Sequence, residues 1–298
     1  MTGAKSRSHL PERAPSLSYA EDFDADWAHS SEFAFAANGI SLIMPFAEPY
    51  FVRSIRAVIP LLDSSLAEQT HEYLRQELQH HVKHREFNRL ITTQYPNVSR
   101  VENQMRRTYS WLGKTRSSKF NVAFAAGSET IAFSIARWTE AHLAVFDGAD
   151  PGVATLFAWH LAEEAEHASA AYDVFEATDG NRWRYLAAAS TSLVILLWFV
   201  WRATLSQLHA THRLWNPLSH LRLARWSVSL GFTILPLVFA SAMPSHHPSQ
   251  FAGTTLLEKW LSYYDVDAKA LPEWPTGTIG AQETTDATDA PDEPGAPD

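Results

Sequence analysis

The sequence contains no cysteine. That excludes disulfides, thiolate metal sites and a cysteine nucleophile, and it makes imidazole and carboxylate the leading metal ligands. It is compatible with a reducing compartment, and a cytoplasmic location is expected. Strand-like alternation of apolar and polar residues is scarce. No long basic run occurs and the formal net charge is −9, so nucleic acid is not expected as a partner. The first thirty residues include basic side chains without an apolar run, which reads as a disordered lead over 1–30 and not as a secretory signal. Residues 271–298 read as a disordered acidic tail. From Thr276 onward it holds Glu283, Asp286, Asp289, Asp292, Glu293 and Asp298 with no basic residue, and too little apolar surface to order itself.

What is present is helical. The chain has 298 residues, 46% of them hydrophobic, with 11 Trp, 16 Phe and 14 His, enough to bury a substantial core. Four long stretches carry a helical period. The first covers 33–60, where Pro45 and Pro49 are expected to break or kink the helix and leave Glu48 near a fresh start. The second runs from the capping cluster Asp63-Ser64-Ser65 to about residue 93. The third covers 118–146, and the fourth covers 152–177. These lengths predict an all-α fold with a four-helix core over 31–180. Two apolar runs follow, Tyr185–Trp201 and Trp226–Met243, with Arg202, Arg213, Arg222 and Arg225 between them. They read as an apolar helical extension over 181–270 packed on the bundle. Each is also at the lower limit of a membrane span, so membrane association stays open.

Chemistry concentrates on the predicted helices. Glu77 with His80, and Glu164 with His167, are two Glu-x-x-His motifs on different helices. Positions i and i+3 share a face at about 100° per residue, so each pair can reach one ion. Glu68 with His71 has the same spacing but lies about 180° from Glu77, on the solvated side. Glu48 and Glu129 are lone acids in apolar surroundings. Acids so placed are seldom buried without a partner, and two divalent cations among four carboxylates would resolve their repulsion. An ion pair with Arg53 or Arg137 is the simpler alternative. On the fourth helix, Glu164 and His167 fall within about 40° of His160, whereas Glu163 sits at the edge of that face and Glu166 well away. The predicted metal ligands are Glu48, Glu77, His80, Glu129, His160, Glu164 and His167. His84, one turn past His80, is expected to support a ligand or carry protons, and Glu163 is the second choice of ligand; both are candidate catalytic residues for proton transfer. Carboxylate with imidazole suits iron, manganese or zinc.

The segments FAEPYF, QELQHHVKHREFN, GSETIAF and WHLAEEAEHASAAYDVF resemble a bacterial family of predicted metal-dependent hydrolases. The ligand order also resembles that of ferritin-like di-iron N-oxygenases of the p-aminobenzoate N-oxygenase type. In that pattern a Glu, a Glu-x-x-His, a second Glu and a His-x-x-x-Glu-x-x-His follow one another, here Glu48, Glu77 with His80, Glu129, then His160, Glu164 and His167. That resemblance implies a ferritin-like bundle with two iron ions, bridged by carboxylates such as Glu77 and Glu164. It also implies O₂ as a partner, which requires an external electron donor, while the Trp- and Phe-rich composition suggests a hydrophobic small-molecule substrate. No match to the amine-binding residues is evident. Three readings follow: an O₂-dependent oxidoreductase, expected first; a metal-dependent hydrolase, with His84 or Glu163 as base; and a non-catalytic metal-binding protein. A homodimer is compatible with all three.

Overall fold

The computed structural model describes residues 10–167 and 169–277. It is all-helical, with no strand among the described residues. The elements are α1 (Ser31–Arg56), α2 (Ser64–Gln94), α3 (Ser99–Thr115), α4 (Ser118–Glu140), α5 (Pro151–His167), α6 (Ala170–Thr178), α7 (Arg182–Ala210), α8 (Pro217–Ser241) and α9 (Leu256–Leu261). Side-chain caps start several of them: Asp63 accepts from Leu66 N at 2.9 Å, Asn181 from Arg184 N at 3.0 Å and Asn216 from Leu218 N at 3.0 Å. Each satisfies an amide that has no partner within its own helix.

The core is built from α1, α2, α4 and α5, with α7 laid across α1 and α4. The contact with α7 is close because the facing residues are small. A Cβ on Gly127 would sit 2.6 Å from the Ala189 Cα, and one on Gly39 would sit 3.1 Å from the Val200 Cα. α7 buries one side along nearly its whole length, from Tyr185 to Leu208. Its apolar window is nevertheless only 28% buried, and that of α8 only 17%. Both helices are long and apolar enough to cross a membrane, by length and composition alone.

The structure corrects the expected break in α1, which runs from Ser31 to Arg56 with both prolines inside it. Pro45 lacks the N–H that would bond the Ser41 carbonyl, four residues back. The Asn88 amide supplies that donor from α2, at 2.9 Å. The expected third helix, 118–146, ends at Glu140, and a 3₁₀ turn over Leu143–Phe146 continues it. Gly148, at φ +67°, then takes the left-handed conformation that reverses the chain. The expected fourth helix is two, since α5 stops at His167 and α6 starts at Ala170.

The largest departure is at the ends. Residues 10–30, expected to be disordered, form a strap along α2 and α5. The Pro11 carbonyl accepts from Gln76 Nε2 at 2.7 Å, Ala25 N donates to Gln94 Oε1 at 2.6 Å, and Trp27 Nε1 donates to Asn38 Oδ1 at 2.8 Å. Ala25 and Trp27 are buried, so the strap has apolar anchors despite its acidic composition. Residues 271–277 are ordered too. Trp274 is buried against Phe146 and Trp260, and its N–H donates to Thr155 Oγ1 at 2.8 Å. The rest of both expected segments, 1–9 and 278–298, lies outside the described residues.

Candidate metal centre

Four helices bring seven side chains together at the middle of the bundle. α1 contributes Glu48, α2 contributes Glu77 and His80, α4 contributes Glu129, and α5 contributes His160, Glu164 and His167. All seven are buried. Their ligand-type atoms form two groups, Glu48–His80–His160 and Glu77–Glu129–Glu164–His167, each with one atom per residue lying within 4.8 Å of the others. Among the described residues neither Glu48 nor Glu129 takes an arginine partner. Tyr73 donates to Glu129 Oε1 at 2.8 Å, and both Glu48 oxygens lack a hydrogen bond.

The surrounding hydrogen bonds fix which nitrogen of each ring faces the centre. Asn88 Nδ2 is committed to the Ser41 carbonyl, so its Oδ1 accepts from the Ser41 hydroxyl at 2.6 Å. Ser41 Oγ then accepts from His84 Nδ1–H at 2.8 Å, which leaves His84 Nε2 to accept from His160 Nδ1–H at 2.6 Å. The inner nitrogen of His160, Nε2, is left with its lone pair, 2.9 Å from Glu164 Oε1 and 3.5 Å from Glu48 Oε1. His80 follows the same rule. Its Nε2–H donates to Glu163 Oε2 at 2.7 Å, and its Nδ1 is unpaired between Glu77 and Glu164. For His167, Gln76 Nε2 is committed to the Pro11 carbonyl, so Gln76 Oε1 accepts from His167 Nε2–H. His167 Nδ1 is 3.0 Å from Glu77 Oε1 without the alignment of a hydrogen bond. All three imidazoles therefore turn toward carboxylate oxygens an inner nitrogen that carries a lone pair once its ring is neutral. Lone pair facing lone pair is repulsive unless a proton or a cation lies between.

The electrostatics carry the same message. Burial raises the Glu48 carboxyl well above its ordinary range, and Glu77 adds to it. Burial, then Glu164 and Glu77, do the same to Glu129. Glu164 is raised by burial and by Glu77. Burial opposes ionisation of Glu77, but the contacts with His167 and His80 outweigh it and hold this group low. Burial, with neighbouring imidazoles, pushes His84 and His160 well below the usual range, so both are neutral, as the relay requires. Burial also works against charging His80 and His167, yet Glu163 and Glu77 hold the first up and Glu77 the second. Protons here do the work that cations of the right size would do better. Eight buried polar atoms without a hydrogen bond gather here, on Glu48, Glu77, His80, Glu129, Glu164 and His167. The donor set fits a pair of divalent ions.

His84 and Glu163, expected as proton-transfer residues, sit behind His160 and His80 and do not line the adjoining cavity. Glu163 is also bound by Arg13 of the strap at 3.0 Å, while Arg13 holds Glu166 at 2.7 Å. His84 and Glu163 thus each contact the outer nitrogen of a ring whose inner nitrogen faces the cluster. Asp173, six residues past His167, accepts from His247 Nε2 at 2.9 Å. Glu68 and His71 are exposed, as expected of the solvated copy. Sequence reasoning missed Tyr73, Gln76, Ser41, Asn88 and Arg13. The first two were within reach, because Tyr73, Gln76, Glu77, His80 and His84 recur at three- and four-residue steps on one face of α2.

A cavity of about 190 Å³ adjoins the centre. Glu48, Glu77, Glu129, His160 and Glu164 line it at the centre, and its other walls are mainly apolar side chains of α1, α4, α7 and α8.

Residues 11–251 match the model of a family described as predicted metal-dependent hydrolase, and the chain belongs to that family. The match spans the strap, the bundle and both apolar helices, so the candidate ligands and the cavity walls lie inside it. No curated protein and no solved structure matches the chain.

Proposed function

We propose that the chain is a hydrolase with a dinuclear metal centre, acting on a substrate with an apolar chain. The observation that carries the metal is the triple lock on His160, His80 and His167, each with its outer nitrogen bonded to a protein partner and its inner nitrogen aimed at shared carboxylates. Glu48, His80 and His160 would hold one ion, and Glu77, Glu129, Glu164 and His167 the other. When bound, such a pair lowers the pKa of water and polarises the attacked carbonyl or phosphoryl oxygen. The family supports hydrolysis, and the apolar cavity supports the substrate class. The protein's own part is to orient the ligands, exclude bulk water and dispose of protons. Glu48 is placed for the last role, since it lines the cavity and spends neither oxygen on a hydrogen bond.

A second reading rests on the donor ratio. Four carboxylates to three imidazoles, drawn from four bundle helices, also suit two iron ions that handle O₂ in a ferritin-like core, with an external electron donor. One experiment separates the two. The purified protein is assayed for bound metal, then for cleavage of p-nitrophenyl esters from acetyl to lauroyl with zinc, manganese or iron present. It is also loaded anaerobically with Fe(II) and exposed to O₂. Metal-dependent cleavage that improves with chain length supports the hydrolase. O₂ uptake with substrate oxidation and no cleavage transfers the assignment to the oxidase. A protein that binds no metal refutes both.

A further inference from the structure

α7 and α8 are amphipathic the wrong way round for a water-facing hairpin. The residues of α8 that face outward are Leu218, Leu221, Val228, Phe232, Leu235 and Phe239, at steps that keep one stripe of the helix. Phe232 is 78% exposed, and on α7 Val194 is 65% exposed with Trp183 and Trp198 beside it on the same stripe. Scattered exposed apolar residues need no explanation, but a continuous stripe on two neighbouring helices does.

We infer that the α7–α8 flank seats on an anionic lipid bilayer, lying in its interface, and that the cavity beside the metal centre opens there into the hydrocarbon. Charge identifies the occupant. From residue 180 to residue 257 the chain has no Asp or Glu and six Arg, in a protein whose net charge is −9. Arg182, Arg184, Arg213 and Arg222 share their charge with acids outside this segment, at Glu176, Asp179, Asp26 and Glu32. Among the described residues Arg202 and Arg225 have no such partner, and Arg202 stacks on Trp198 with its guanidinium 5.5 Å from the ring centre. Apolar stripes edged by Trp and Arg are the composition of an interfacial helix, whose aromatic bodies sit at headgroup depth while the cations meet lipid phosphate. Trp215, 90% exposed in the α7–α8 turn, fits the same layer.

The seating is in plane. α7 keeps its inner side against α1 and α4 from Tyr185 to Leu208. A transmembrane path would therefore drag those ligand-bearing helices into hydrocarbon. The opposite flank is polar, with Glu68, Arg75, Arg85, Glu86 and Arg89 exposed along α2. The mouth is located by the two exposed residues of the cavity lining, Leu197 on α7 and Ser227 on α8. It opens between the two stripes. An apolar chain could pass from the bilayer to the carboxylates without crossing water. This last point rests on the proposed action on apolar substrates, whereas the seating does not.

The absence of cysteine makes the test clean. Phe232→Cys on the stripe, Ser227→Cys at the mouth and Arg89→Cys on the opposite flank are each labelled with the environment-sensitive dye NBD in the full-length chain. The labelled proteins are mixed with phosphatidylglycerol–phosphatidylcholine vesicles or with phosphatidylcholine alone. Expected are a blue shift and brighter emission at 232 and 227, none at 89, and dependence on the anionic lipid and on low salt. An Arg202→Glu, Arg225→Glu double variant should bind these vesicles about tenfold less tightly or worse. No change at 232, or an equal change at 89, overturns the seating. A change at 232 without one at 227 overturns the placement of the mouth. A shift that grows with protein concentration in the absence of vesicles would show a second copy covering the stripe, and also overturns the proposal. The readout needs neither metal nor turnover, so its failure is distinct from failure of the hydrolase assignment.

Discussion

Glu163→Gln tests the arrangement most directly, because it changes one atom pair and no volume. One Glu163 oxygen faces Arg13 Nη1 at 3.0 Å and the other faces His80 Nε2 at 2.7 Å. Both neighbours donate, so the site needs an acceptor at each oxygen position. An amide has one acceptor and one donor group. If its NH₂ faces Arg13, two donors meet and the strap loosens, although Glu166 still holds it. If its NH₂ faces His80, that ring must give up its outer proton, and the proton moves to Nδ1, where the metal would bind. Removing such an orienting partner costs about 10–100-fold in metal affinity, or about 1.4–2.7 kcal/mol. The assay is competition for Zn(II) against a chromophoric chelator, with circular dichroism to check the fold. A folded Glu163→Gln variant that binds zinc as tightly as the parent would refute the reasoning. If ester cleavage were lost at the same time, Glu163 would be a base and not an anchor.

Metal stabilisation should depend on pH in a defined direction. Without metal, Glu48, Glu129 and Glu164 have raised pKa values. The folded state then holds more protons than the unfolded one, and these groups cost stability as pH rises above about 4.5. Metal binding requires the three to ionise, so the gain in Tm on adding zinc should be larger at pH 8 than at pH 5.5; an equal or reversed gain contradicts the cluster. Gly127→Ala places a Cβ 2.6 Å from the Ala189 Cα and should cost about 1–3 kcal/mol by forcing α7 off α4. Gly231→Ala meets nothing within 4 Å and should match or exceed the parent in thermal melting, so similar melting of the two variants would rule out the close crossing.

Much of the centre was legible because helical geometry is local. Glu77 and His80 share a face whatever surrounds them, and so do His160, Glu164 and His167. The helix α3 was not anticipated. Its apolar positions Val101, Met105, Tyr109 and Leu112 keep a helical step, but they are diluted by the charges of Arg100, Glu102, Arg106, Arg107 and Lys114. The partners of His84 and Glu163 were out of reach for a different reason. Their angles on the helix were right, but what each touches is decided by another segment: Ser41 across α1 for the first, Arg13 for the second. The continuity of α1 was missed in the same way, since the donor that compensates Pro45 comes from Asn88 on α2.

The strap has a consequence for the order of assembly. Pro11 and Arg13 are the first part of the described chain to be synthesised, yet their partners lie 65 and 150 residues downstream, at Gln76 and Glu163. Loops that long close late, after the helices they join have met. The Pro11 carbonyl that orients Gln76, and through it the His167 ring, is in place only after that docking. A refolding chain should therefore reach its full metal affinity only when the strap docks.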